Sequence, residues 1–207
     1  MKFWLALFVW LGVTSVAQAH THLYEATLTW SEESIPNTTL AIGTSTVTLD
    51  LDLITLRLEI QFSGLSGQTT EAFLHGVTLF ANTGFAGPMS PALSASGFPL
   101  GVGTGSYDHT FDLTDAAGYY PTFLPASAFP ISDALTALAN GFEEGKVYLS
   151  IKSTAFPSGE IRGFFAEVPE TGSASFLAAT GVALLARRSR HHRTVGSATC
   201  DVPLTLK

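Results

Sequence analysis

The chain has 207 residues, 46% hydrophobic and 13% charged, with 19 Gly, 10 Pro, one Cys and a formal net charge of −7. That apolar fraction excludes global disorder, the length suits one ordinary domain plus extra segments, and the lone Cys200 excludes an internal disulfide framework or a multi-cysteine metal site. Residues 20–166 hold fourteen acidic side chains against four basic ones, Arg57, Lys146, Lys152 and Arg162; such a field repels phosphate backbones and sets nucleic acid aside as a partner.

At the start, Lys2 precedes an unbroken apolar run from Phe3 to Val13, followed by Thr14-Ser15-Val16 and the small-residue triplet Ala17-Gln18-Ala19. A basic residue, a short apolar segment and an A-x-A site make a secretory signal over 1–19, cut after Ala19 by signal peptidase so that the mature chain opens at His20. The run is short for a membrane span. The new terminus would read His20-Thr21-His22. Its free amine, two amide nitrogens and the His22 imidazole can encircle Cu²⁺ or Ni²⁺ in a square plane, so His20 and His22 are candidate metal ligands that depend on this cut.

The next stretch has period two. Val47, Leu49, Leu51 and Leu53 alternate with Thr48, Asp50 and Asp52; the apolar parity then shifts to Leu56, Leu58, Ile60 and Phe62. A parity change at Leu53-Ile54 marks a turn or bulge between two half-buried antiparallel strands. Similar short runs occur at 23–30, 72–80, 107–113, 147–151 and 160–165, separated by Gly, Pro, Ser and Thr clusters. The expected fold is all-β, an antiparallel β-sandwich or barrel of immunoglobulin-like kind, with one short helix. That helix has Ser132 as its cap, Ala134, Leu135, Leu138 and Ala139 as its apolar stripe, and Asn140-Gly141 as its stop. Segments 84–105, rich in Gly and Pro, and 119–130, aromatic and Pro-rich, read as loops; their apolar residues serve either as lids over the core or as a binding edge, and lids are the favoured reading.

Little of the chain reads as catalytic. It lacks a G-x-S-x-G elbow, an H-E-x-x-H pair and a P-loop. Asp108, Asp112 and Asp115, near His109, are the densest acidic group; their oxygens can hold Ca²⁺, but without EF-hand spacing they are read as flanking a strand-to-turn transition. Glu143-Glu144-Gly145 reads as solvated turn charge. No cofactor is implied. In the stretch 157–162, Pro157-Ser158-Gly159 is turn chemistry between strands, and Glu160 and Arg162, two apart, are expected on one face, paired with each other or across the sheet in a structural role.

The end of the chain has its own order. Val168-Pro169-Glu170-Thr171-Gly172-Ser173 leads into an apolar stretch from Ala174 to Ala186, then into Arg187-Arg188-Ser189-Arg190-His191-His192-Arg193. Thirteen residues make a helix of about 20 Å against a hydrocarbon core of about 30 Å, and Arg187, Arg188 and Arg190 would act as a membrane stop that leaves the preceding domain outside. This terminus resembles PEP-CTERM sorting signals of bacteria, in the variant reading V-P-[DE]-[ST]-G, and less closely the sortase signal L-P-x-T-G, with Val168 in place of Leu. The resemblance implies a sorting motif at Val168, Pro169, Glu170, Thr171 and Gly172, processing by an exosortase-type membrane enzyme, and a transient stay of the segment in the membrane. Thr194 to Lys207 extend past the basic cluster.

Three stretches in order resemble the chordin-type (CHRD) domain over 20–166: Ser63-Gly64-Leu65; Ala72-Phe73-Leu74-His75-Gly76, similar to A-H-I-H-G; and Gly145 to Ser150 with Pro157 to Gly163, similar to G-x-x-Y-V-N-V-H-T…P-x-G-E-I-R-G. His75, Gly159, Glu160 and Arg162 are the family positions matched. Two of the family's three histidine positions hold Phe73 and Lys152 here, which weakens any metal or proton-transfer cluster, because a divalent metal needs about three protein ligands. The expected function is that of an exported, envelope-sorted, non-enzymatic β domain that binds an extracellular polysaccharide or protein or builds the matrix. The alternatives are a polysaccharide-active enzyme using Asp or Glu, and a metal-binding envelope protein.

Overall fold

The computed structural model describes residues 20–33, 35, 37–124 and 130–169. The expected signal segment 1–19, Glu170, Thr171 and Gly172 of the expected sorting motif, and the arginines expected to form a membrane stop lie outside the described residues. Among the described residues no helix is long and apolar enough to cross a membrane.

Among the described residues the strands are β1 (Thr21–Leu28), β2 (Ile42–Asp50), β3 (Thr55–Ser63), β4 (Thr69–His75), β5 (Gly105–Asp112), β6 (Tyr148–Ser153), β7 (Ile161–Phe164) and β8 (Ala166–Glu167), with one α-helix, α1 (Ile131–Glu143). They form two antiparallel sheets, ordered β5-β3-β2-β1-β8 and β4-β6-β7, in a sandwich-like arrangement. The expected all-β fold with a short helix is the observed one.

The β2–β3 pair shows why. Val47 and Leu49 face Leu58 and Leu56 across the register, all four fully buried, while Thr48, Arg57 and Glu59 turn outward. Each buried leucine contributes about 1.5–3 kcal/mol of removed apolar surface. The turn falls at the parity break: Asp50 accepts the Asp52 and Leu53 N–H groups at 2.9 and 2.8 Å, and Ile54 takes the left-handed φ of 55°. Leu53 is left 70% exposed at its tip.

The two sheets join at a corner. Past the end of β1, Thr29 exchanges two backbone hydrogen bonds with Arg162 of β7, at 2.9 and 3.0 Å. Phe165 then donates to Val147 O, and β8 crosses back to pair Glu167 with Tyr24. The chain thus changes sheets within three residues, and Phe165 is fully buried at the crossing.

The helix departs from its expected ends. It starts after Pro130, a residue of fixed φ that suits a helix entry, so Ser132 lies inside the first turn and its hydroxyl faces Asp133 at 3.4 Å instead of capping. It runs through Asn140-Gly141 because Gly141 is a packing residue: a Cβ there would stand 3.1 Å from both Val147 Cγ2 and Val77 Cγ2. The stop is Gly145 at φ 65°, with Lys146 N–H on Gly141 O and Gly145 N–H on Phe142 O, the paired bonds of a Schellman ending. The extra turn places Phe142 against Tyr24 and Phe165, with ring centroids 5.0 and 5.4 Å away.

The loop 84–105 is a lid with anchors. Met89, Leu93 and Phe98 are buried, and Tyr119 of the second loop is buried too, its hydroxyl donating to Leu113 O at 3.1 Å. The run 72–80 is strand only to His75; Thr78 leaves the sheet and its hydroxyl donates to Phe80 O.

Candidate functional site

The outward face of the three-stranded sheet collects four of the residues singled out in the sequence, Phe73, His75, Lys152 and Arg162. Strand alternation puts Glu71, Phe73 and His75 of β4, Tyr148, Ser150 and Lys152 of β6, and Arg162 and Phe164 of β7 in register on one side. Ala72, Leu74, Leu149, Ile151 and Ile161 take the other side and are buried in the core.

Arg162 is the centre of this face and is 5% exposed. Its guanidinium carbon lies 4.8 Å from the Tyr148 ring, 5.3 Å from Phe164 and 5.7 Å from Phe85, within cation–π range of all three. Nε donates to Glu32 O and Nη1 to Gly84 O at 3.2 Å. One side chain thereby ties the segment 29–32 to the segment 82–85.

Glu160 does not share that face. It precedes β7 as a bend residue, so strand alternation does not reach it, and its carboxylate turns to other partners: Thr39 Oγ1 donates to Oε1 at 2.6 Å, and Ser66 N–H donates to the same oxygen. No Glu160–Arg162 ion pair exists among the described residues, which corrects the expected pairing. Among the described residues Oε2 is buried with no hydrogen-bond partner. Burial pushes the carboxyl up, but the Ser153, Thr39 and Ser66 groups outweigh it and hold the group below the usual range. Gly159 is required beside it, since its φ is 142° and a Cβ would sit 2.6 Å from Glu33 Oε1.

His75 stacks on Tyr148 at 4.9 Å with 4° between planes, and its Nδ1 lies 3.1 Å from Ala86 O. A carbonyl only accepts, so Nδ1 carries the proton. Burial lowers the imidazole pKa, with Lys152 and Arg162 adding to the shift and Ala86 and Glu71 opposing it. The three positions matched to the family's histidines do converge on this face. Here Lys152 Nζ stands 5.5 Å over the Phe73 ring and pairs with Glu71 at 3.0 Å, so an aromatic and a cation occupy the ground beside His75. Among the described residues no group of three His, Cys, Asp or Glu side chains is placed to hold a metal ion.

The remaining candidates are dispersed. Asp108 takes a two-point bond from Arg57, Nε at 2.9 Å and Nη2 at 2.7 Å; Asp112 accepts from Thr114 N and Oγ1; Asp115 accepts from Ala117 N. His109 lies on the opposite side of β5, between Tyr107 and Phe111, so alternation divides the acidic group from it. Glu144 pairs with Lys146 in the turn after α1. His20 pairs with Asp52, and His22 Nδ1 meets Glu167 at 3.2 Å, while His22 is paired with Leu49 in the β1–β2 register. Closing a square plane around Cu²⁺ would require releasing these partners. Val168 N–H donates to Leu23 O, which attaches the first residue of the expected sorting motif to β1.

Beside Arg162 opens a cleft of about 390 Å³ lined by Thr27, Thr29, Glu32, Asn82 and Phe164. Phe80 and Phe85, 66% and 70% exposed, flank the Asn82 turn. Asn82 holds a left-handed φ of 55° and is fixed by its N–H on Gly145 O at 2.8 Å. Sequence reasoning missed this group. Its members come from three distant segments, and the one local signal was the turn tripeptide Asn82-Thr83-Gly84.

A two-sheet sandwich closed at its corner by a caged arginine from a G-E-I-R-G strand is the class of domain defined by these features. The CHRD domain profile matches residues 24–165, and the chain belongs to that family. No curated protein and no solved structure matches it.

Proposed function

We propose that this protein is an exported, envelope-sorted CHRD domain with a non-enzymatic binding role at the cell surface or in the extracellular matrix. The observation that carries the binding role is the open cleft at Thr27, Thr29, Glu32, Asn82 and Phe164, braced by Arg162, with the exposed Phe80 and Phe85 on either side of the Asn82 turn. Exposed apolar groups beside convergent polar ones are the usual make-up of a recognition site. The carboxylates considered for hydrolysis are engaged elsewhere: Asp108 by Arg57, Asp112 by Thr114, and Glu160 beneath Thr39 and Ser66. Export rests on the 1–19 signal pattern. Sorting rests on Val168-Pro169-Glu170-Thr171-Gly172 with its apolar segment and arginines, the finer reading of the tail as a PEP-CTERM signal cut by an exosortase-type enzyme.

The test is fractionation of a bacterial host expressing the full chain, with mass spectrometry of the recovered protein. The expected product begins at His20, lies outside the cytoplasm and has lost the arginine cluster. A cytosolic product that retains residues 1–19 would contradict export, and a surface product retaining Arg187–Arg193 would contradict exosortase processing.

A further inference from the structure

The cleft continues onto the open sheet. Thr27 lines both the cleft and a neighbouring depression of about 650 Å³ bounded by Thr44, Gln61, Thr104 and Ser106. Registers align Thr27 with Thr44, Thr44 with Gln61 and Gln61 with Ser106, so these four polar residues form one straight row across β1, β2, β3 and β5. All four are exposed, and none of their side chains has a protein hydrogen-bond partner among the described residues. The adjoining row differs, because its Glu59 and Asp108 are both bound by Arg57 of the row beyond.

We infer that this row and the cleft together form an extended site for a neutral, linear polysaccharide. The inference rests on the binding role proposed above and assigns it a site and a ligand class. Strands stand about 4.8 Å apart, close to the repeat of one pyranose ring along a linear glycan, so each strand offers one hydroxyl or amide per sugar unit. Phe164 supplies the apolar surface that a sugar's C–H face requires, and Glu32 and Asn82 supply acceptors and donors for the hydroxyl rim of the terminal ring. Charge selects against an acidic polymer: Glu32 is the only charged side chain lining the cleft, and residues 20–166 carry fourteen acidic and four basic side chains. The walls are held at fixed separation by Arg162, which is a positioning residue and not a contact.

The experiment is isothermal titration of the full chain with linear oligosaccharides of glucose, mannose, xylose and N-acetylglucosamine, and with an oligogalacturonate of the same length. At least one neutral oligosaccharide binds, and the acidic one does not. Asn82→Gly, which suits the left-handed backbone at that position, and Thr44→Val, which keeps the β-branched shape, each weaken binding by about tenfold. Thr48→Val, two rows away on the same sheet, leaves it unchanged. Absence of binding to every neutral probe, preference for oligogalacturonate, or equal affinity in Asn82→Gly and Thr44→Val would overturn the site. Release of new reducing ends during the titration would instead overturn the non-enzymatic reading, with the site judged separately by the two variants.

Discussion

The outward faces of the two sheets are built from the same alternation and end in opposite conditions. On the three-stranded sheet most outward residues are aromatic or cationic, and the centre of the face is covered: Phe73, Tyr148, Ser150 and Arg162 are all buried beneath the segments around Glu32, Glu33, Phe85 and Tyr120. On the five-stranded sheet they are threonines and charges such as Thr44, Thr48, Arg57 and Asp108, left in water. The contrast teaches that an ion's surroundings decide its value. Arg57 and Arg162 are both strand arginines. Arg57 pairs with carboxylates in solvent, where pairing contributes little; Arg162 is dehydrated among three rings and donates to two backbone carbonyls, Glu32 O and Gly84 O.

The largest effect expected from breaking this contrast follows from that comparison. Arg162→Ala should cost about 4 kcal/mol of unfolding free energy, because it removes two charge-assisted hydrogen bonds and the packing of a buried guanidinium among three rings. Arg57→Ala should not move the urea midpoint measurably. Equal losses in the two variants would show that the covered face has no special weight.

A smaller effect sharpens the same contrast through pH. His75 on the covered face has a pKa below its ordinary 6.5 because burial disfavours the charged ring. The stability this provides is complete above pH 6.5, where folded and unfolded chains both hold a neutral imidazole. It is lost as pH falls below 6.5, since the unfolded chain takes up the proton first, and the loss levels off once the folded-state pKa is passed. Asp52, Asp108, Asp112 and Glu160, whose pKa values are also lowered, act only below about 4.5, their ordinary values being 3.8 and 4.5. Urea titrations between pH 7 and pH 5 should therefore show a decline that His75→Gln removes. An unchanged slope in that variant would assign the decline elsewhere.

Much of the architecture was readable from local pattern. Period two and its parity break located β2, β3 and their turn, because one face of each strand must be apolar. Features set by long-range packing were not readable in this way. The helix passes the expected stop at Asn140-Gly141 because Gly141 packs against Val147 and against Val77, the latter 64 residues earlier in the chain. Glu160 and Arg162 do not share the expected face because strand geometry begins one residue after Glu160. Arg162 was marked as a motif position, but Glu32, Gly84 and Phe85, which give it meaning, carry no pattern that links them.

The claim most central to this account is that Arg162 locks the segments 29–33 and 82–86 into one body, and hydrogen exchange of the full chain tests it directly. In the native protein the Thr29, Glu33 and Asn82 amides, bonded to Arg162 O, Trp30 O and Gly145 O, should exchange as slowly as amides within β2 and β3. Arg162→Lys keeps the charge but loses the planar fork, and it should speed exchange at those three amides by about a hundredfold while β2 and β3 stay protected. Fast exchange at these sites in the native protein, or no change in Arg162→Lys, would contradict the account.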